Sequence, residues 1–238
     1  MEKLETKYLD LPDIKIAYTE YGEGPALILL HGNSENKGIF RKYQTMYFRD
    51  YHTYALDSRG HGQSISDDTG YSIEQYSKDV IAFCNALNLT NIFLIGYSDG
   101  GNISLFLAKD APEKFNRIVA ISPNYLVSGT TDKTLKLFRN IYAVFKILGK
   151  MGFHTQKWIW RLDLMLNDIG LTDKDLQSIK ADMRILYAEN DLIKENHIVE
   201  IHTFIGSSTI KKIAHCTHLN IIQQEETIKE IREYLGSQ

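Results

Sequence analysis

A serine hydroxyl becomes a nucleophile at neutral pH only when a base takes its proton and an acid holds that base in the correct tautomer. The run Gly96-Tyr97-Ser98-Asp99-Gly100 has the G-x-S-x-G pattern, with an apolar run at 91–95 before it and a helix-period segment from near Gly101 after it. A serine on such a sharp strand-to-helix turn takes a strained backbone conformation, where side chains two positions to either side would collide. Gly96 and Gly100 remove that collision, which makes Ser98 the expected nucleophile. The acid and the base are sought later in the chain. The apolar run 184–188 leads into Glu189-Asn190-Asp191 and places a carboxylate at the C-terminal end of a strand, where parallel sheets carry their ligands. Asp191 is the expected acid and also suits the N-cap of the helix that follows, with Glu189 as its rival. Two histidines, His215 and His218, follow the last predicted strand at 208–213, and one of them is expected to be the base. The oxyanion formed on acyl attack needs preorganised donors, and the turn supplies one, the backbone N–H of Asp99.

These residues need a frame that gathers strand ends at one edge. Residues 4–11 and 14–21 are β-rich runs around Leu11-Pro12-Asp13, the pattern of two antiparallel strands joined by a tight turn. Short continuous apolar runs follow at 25–30, 52–57, 91–97, 117–122 and 184–188, as expected of strands buried on both faces of a parallel sheet. Helix-period segments at 72–89, 102–108, 196–204 and 225–234 alternate with them. The alternation breaks once, between about 124 and 180, in a stretch rich in Leu, Phe, Met and Trp that offers helices and no convincing strand. The pattern predicts one α/β domain with a doubly wound, mostly parallel sheet. Residues 1–123 and 181–238 form its core, and 124–180 form a short helical lid.

Here the chain resembles the α/β-hydrolase superfamily. His218 followed by Gln223, Gln224, Glu225, Glu226 and a helix at 227–234 is similar to that superfamily's C-terminal pattern, with Glu225 where a proline is often found, and the resemblance selects His218 over His215. His31-Gly32-Asn33 resembles the superfamily's oxyanion loop and implies the Asn33 N–H as the second donor, with His31 bracing the loop. Asp57-Ser58-Arg59-Gly60-His61-Gly62-Gln63-Ser64 resembles its D-x-R-G-x-G-x-S stretch. That implies scaffold roles there, Arg59 pairing with a carboxylate or carbonyls and His61 being structural. The superfamily's dehalogenases use an Asp nucleophile, so Ser98 speaks against dehalogenation.

The run from Gly96 to Asn102 is most similar to biphenyl-hydrolase-like and valacyclovir-hydrolase-type carboxylester hydrolases. That resemblance implies a small acyl substrate, and Asp99 as a partner for a cationic substrate group such as the amine of an aminoacyl ester; the residue itself equally suits the start of a helix, where the dipole favours a negative charge. In the lid, Trp158 and Trp160 are expected to contact the substrate, and Phe138, Tyr142, Phe145, Leu164 and Met165 are further large side chains that could line an acyl pocket or bury the lid against the core.

Composition sets bounds on this reading. A net charge of −3 with dispersed Lys and Arg provides no basic field for nucleic acid, and 43% hydrophobic residues suffice for a large core. The N-terminal MEKLETKYLDL lacks the apolar stretch of a signal peptide and no run is long enough to span a bilayer, so the expectation is a cytoplasmic protein with neither membrane nor nucleic-acid partner. Cys84 and Cys216 read as free thiols. No cofactor or metal is implied, since His197 and His202 lack zinc-ligand spacing and a third ligand. The expected chemistry is hydrolysis of an ester, thioester, lactone or activated amide through an acyl-serine. A carbon–carbon hydrolase, an enol-lactonase, a cofactor-free perhydrolase and a non-catalytic ligand sensor are the alternatives on the same frame. The sequence leaves the oligomeric state open.

Overall fold

A computed structural model describes residues 4–66 and 70–236. The charge reading of the N-terminus therefore includes positions 1–3, which lie outside the described residues. Strands β1 (Lys7–Leu11) and β2 (Ile14–Tyr21) form the expected antiparallel pair, Leu11 opposite Ile14. Six longer strands follow, β3 (Ala26–Leu30), β4 (His52–Leu56), β6 (Ile92–Tyr97), β7 (Phe115–Ile121), β8 (Asp182–Asn190) and β9 (Ser208–Thr217), along with a two-residue strand β5 (Ile65–Ser66) that pairs with β2. The order across the sheet is β1-β2-β4-β3-β6-β7-β8-β9, and every pairing from β4 through β3 to β9 is parallel.

The unbroken apolar runs follow from burial on both faces. In β3, Ile28 and Leu30 join one core cluster while Leu27 and Leu29 join another on the opposite side of the sheet. Helices α1 (Ile73–Ala86), α2 (Asp99–Asp110) and α6 (Glu195–Phe204) supply Phe83, Leu105 and Ile198 to the first cluster. Helix α7 (Glu225–Leu235) closes the second with Ile228 and Ile231. Between β7 and β8 lie α3 (Asp132–Lys150), α4 (Gln156–Leu166) and α5 (Asp173–Ser178). Among the described residues no helix is long and apolar enough to cross a membrane.

Among the boundaries that differ from the sequence pattern, those of α2 and β9 bear on the site. Helix α2 starts at Asp99, two residues earlier than its apolar period begins, because Ser98 leaves the strand at φ 55° and the chain coils at once. Strand β9 runs past Ile213 to Thr217, through His215 at φ 53°, an irregularity that pattern reading takes for a loop.

Candidate active site

Ser98 sits between β6 and α2 at φ 55°, ψ −115°, a conformation that non-glycine residues rarely adopt. The flanking glycines are required by close packing of backbone on backbone. A Cβ on Gly96 would lie 2.1 Å from the Gly100 carbonyl oxygen, and one on Gly100 would lie 2.1 Å from that of Leu30. Helix α2 can therefore dock flush on β3 and β6, and it carries the serine hydroxyl to the sheet's C-terminal edge.

His218, in the turn after β9, reaches the same edge. Its Nε2 lies 3.0 Å from Ser98 Oγ and its Nδ1 2.7 Å from Asp191 Oδ1. The carboxylate can only accept, so Nδ1 carries the proton and Nε2 presents its lone pair to the serine hydroxyl. The carbonyl of His218 accepts from the Tyr97 hydroxyl at 2.8 Å, which anchors the residue's backbone to β6. Asp191 follows β8 and its side chain is 2% exposed. Burial raises its pKa, but the His218 hydrogen bond and charge, the Ser122 hydroxyl and the Ala188 N–H outweigh it and hold the carboxyl below the usual carboxylate range. Those donors lie close, Ser122 Oγ at 2.6 Å and Ala188 N at 2.9 Å, with Ile193 N adding a bond at 3.1 Å.

The rivals lie elsewhere. Glu189 accepts the backbone N–H of His215 at 2.7 Å, and the His215 side chain is 95% exposed. His61 is buried beneath the loop after β4, its Nδ1 3.0 Å from the Arg59 carbonyl oxygen, and burial lowers its pKa to about 3. Arg59 grips the Asp79 carboxylate through two bonds, 2.7 and 3.0 Å, and also donates to the Asp13 carbonyl. His197 stacks on Tyr125, and His202 Nδ1 meets the Ser208 hydroxyl at 2.8 Å.

The loop after β3 presses against Ser98: a Cβ on Gly32 would lie 3.0 Å from that of Ser98. His31 braces this loop. Its Nε2 accepts the Ser58 N–H at 3.0 Å, which leaves its Nδ1–H to donate to the Gly32 carbonyl at 2.7 Å, and burial lowers its pKa and keeps the ring neutral. The N–H of Asp99, at the first position of α2, has no intrahelical acceptor and sits at the positive end of the helix dipole. Among the described residues the Asn33 N–H has no protein acceptor either. Asn33 also donates through Nδ2 to Asp99 Oδ2 and to the Arg161 carbonyl, both at 2.9 Å. Burial raises the Asp99 pKa to about 6, against the lowering effects of the Asn33 bond and the His218 charge.

Two residues of this site were missed in the sequence. Ser122, at φ 52° just beyond β7, gives the short bond to Asp191, and its sequence signal was its place directly after an apolar strand. Glu35 accepts the Gly32 N–H at 3.0 Å, and burial raises its pKa; nothing in its spacing marks it.

A cavity of about 60 Å³ opens on Ser98, Asp99 and His218, walled by Phe138 of α3, Leu164 and Met165 of α4, and Ile193. Trp158 and Trp160 do not line it, contrary to the sequence expectation. The period of an amphipathic helix shows that it has an apolar face and not which neighbour that face meets. Trp158 stacks on Phe145 at 5.7 Å and Trp160 meets Tyr71 at 5.3 Å.

A parallel sheet with a serine on a strand-to-helix turn, a histidine and an aspartate gathered at its C-terminal edge defines the α/β-hydrolase class. The profile of the alpha/beta hydrolase fold family matches residues 25–146, just over half of the chain, and the protein belongs to that family. The chain is 29% identical over 116 residues to a 2-(acetamidomethylene)succinate hydrolase of Mesorhizobium japonicum, covering 49% of this chain and 42% of that one. It is 33% identical over 114 residues to 3-oxoadipate enol-lactonase 2 of Acinetobacter baylyi, covering 47% and 42%. These matches span less than half the length of either relative. The solved structure of E-2-(acetamidomethylene)succinate hydrolase superposes with a TM-score of 0.82 at 18% identity, over 99% of this chain and 100% of that one, a likeness of fold. Membership of the family and the hydrolase names of these relatives support a hydrolase.

Proposed function

We propose that the protein is a serine hydrolase that cleaves a small carboxylic ester, thioester, lactone or activated amide through an acyl-enzyme. The observation that carries this reading is the chain Ser98 Oγ, His218 Nε2, His218 Nδ1, Asp191 Oδ1, with separations of 3.0 and 2.7 Å, at the N-terminus of α2. In the first step His218 takes the Ser98 proton as Oγ bonds to the acyl carbon, and the Asn33 and Asp99 N–H groups receive the oxyanion. His218 then protonates the leaving group. Water, deprotonated by His218, releases the acid and restores Ser98. Asp191 stays ionised and stabilises the imidazolium.

The cavity is far smaller than the ~300–1,000 Å³ of a pocket for a drug-sized ligand, which favours a short acyl group in this arrangement. The 3-oxoadipate enol-lactonase among the relatives supports keeping lactones in the substrate set. The buried, unbridged thiols of Cys84 and Cys216 suit a reducing compartment, in keeping with work in the cytoplasm. The test is labelling with a fluorophosphonate, followed by mass spectrometry of the modified peptide. The adduct is expected on Ser98 and absent from Ser98→Ala protein, whereas a wild-type protein that takes no label would overturn the reading.

A further inference from the structure

Helix α3 turns one side to the serine and the other outward. Phe138 walls the Ser98 cavity, while Leu137, Val144 and Ile147 on the helix and Met151 and Phe153 just beyond it are each more than half exposed. From Leu137 through Ile141 and Val144 to Ile147 and Met151 these side chains recur at three- and four-residue steps, so they form one continuous apolar stripe. The stripe lies in a basic field. Residues 132–161 contain seven Lys and Arg and a single acidic residue, Asp132, a net charge of +6 in a chain whose total is −3. Among the described residues no carboxylate pairs with Lys133, Lys136, Arg139, Lys146 or Lys150. An open cleft of about 1020 Å³ runs beside the stripe between the end of α3 and α4, with Lys146, Lys150, Phe153 and Trp158 among its walls.

In place of the sequence expectation of no membrane partner, we propose that this face docks on an anionic lipid surface, with the apolar stripe in the acyl boundary and the lysines at the headgroups. A helix with a strong apolar side flanked by Lys and Arg binds such an interface through buried apolar area together with attraction to anionic lipid. The charge also argues against a second copy as the occupant. A two-fold contact sets the same patch against itself, and here it would bring two strongly cationic segments together. The acidic remainder of the molecule is repelled by the same lipid surface, which orients the protein with α3 toward it. This inference does not depend on the hydrolase reading.

Both tryptophans of the chain, Trp158 and Trp160, lie in this segment, so their fluorescence reports on the face. The experiment adds phosphatidylcholine vesicles, with or without phosphatidylglycerol, to the full-length protein and follows tryptophan emission and co-flotation. Emission is expected to shift to the blue, and protein to float, only with the anionic vesicles, and less so as salt is raised. Removing one surface cation lowers partitioning roughly fivefold, so Lys146→Gln with Lys150→Gln is expected to lower it about 25-fold. Val144→Asp with Ile147→Asp is expected to abolish it. The circular dichroism spectrum and Tm of both variants are expected to match wild type, which separates lost docking from lost folding. The proposal is overturned if wild type ignores both vesicle types, binds them equally or keeps its affinity in the folded variants. It is also overturned if sedimentation shows a dimer that these substitutions dissociate, or if the patch binds an acidic protein and no vesicle.

Discussion

The roles proposed for Ser98 and His218 are interdependent. Under this reading Ser98→Ala or His218→Ala each lowers kcat by on the order of 10⁶, while Asp191→Asn costs roughly 10⁴ by misorienting the base. Steady-state kinetics on a short ester check this, and wild-type turnover by His218→Ala protein would remove His218 from the mechanism. Asp99 supports a second prediction, because burial lifts its pKa to about 6 while it lines the cavity. A carboxyl whose folded pKa exceeds its unfolded value favours folding below the unfolded value, about 4, and that advantage is lost as pH rises through about 6. Asp99→Asn is therefore expected to raise Tm at about pH 8, with a gain on the order of 3 kcal/mol that fades below about pH 4. If the charge also holds a cationic substrate group, kcat/KM for an α-amino ester over its des-amino analogue grows as pH rises through about 6 and is pH-independent in Asp99→Asn. Parallel profiles in the two proteins would restrict Asp99 to a role at the start of α2.

At the scale of elements, α2 holds Ser98 at the sheet edge and the insertion walls the cavity beside it. Phe138 from α3 and Met165 from α4 close the cavity. Phe138→Ala or Met165→Ala is expected to move the optimum toward longer acyl chains, with higher kcat/KM for a hexanoyl ester and little change for an acetyl ester. An unchanged chain-length profile would place the acyl group elsewhere. The elements most legible in the sequence were those with a strict period: the buried strands, the helices between them and the G-x-S-x-G turn, whose glycines have no alternative where backbone meets backbone. Ser98 could be singled out from the G-x-S-x-G turn and Asp191 from its place at a strand end, whereas strand-end position left His215 and His218 open and the superfamily resemblance decided for His218. Ser122 and Glu35 could not, since a hydroxyl on a carboxylate and a carboxylate on a loop N–H arise from tertiary approach. The tryptophans misled for a related reason, as bulk and apolarity fix neither the side of a helix nor its partner.

The molecule as a whole combines a sheet buried on both faces with an insertion that is far less embedded. Of the 19 residues of α3 only Thr134 and Leu135 are buried, while β3, β6 and β7 are buried almost throughout. Segments with few buried contacts open at low free-energy cost, and residues 132–161 carry a dense set of Lys and Arg. Brief trypsin treatment of the native protein is expected to cut first within 132–161 and to leave the flanking core fragments associated. First cleavage in the core would show that the insertion is held more firmly than its burial suggests. Helix α4 is tied to the core by hydrogen bonds at Arg161, whose carbonyl accepts Asn33 Nδ2 at 2.9 Å and whose guanidinium donates to the Gly60 carbonyl at 2.5 Å. The amide that clasps Arg161 also holds Asp99, so the proposed oxyanion donors and α4 share one fastener. Any displacement of α4 that carries the Arg161 carbonyl with it therefore loads Asn33 Nδ2, and through it the loop proposed to receive the oxyanion.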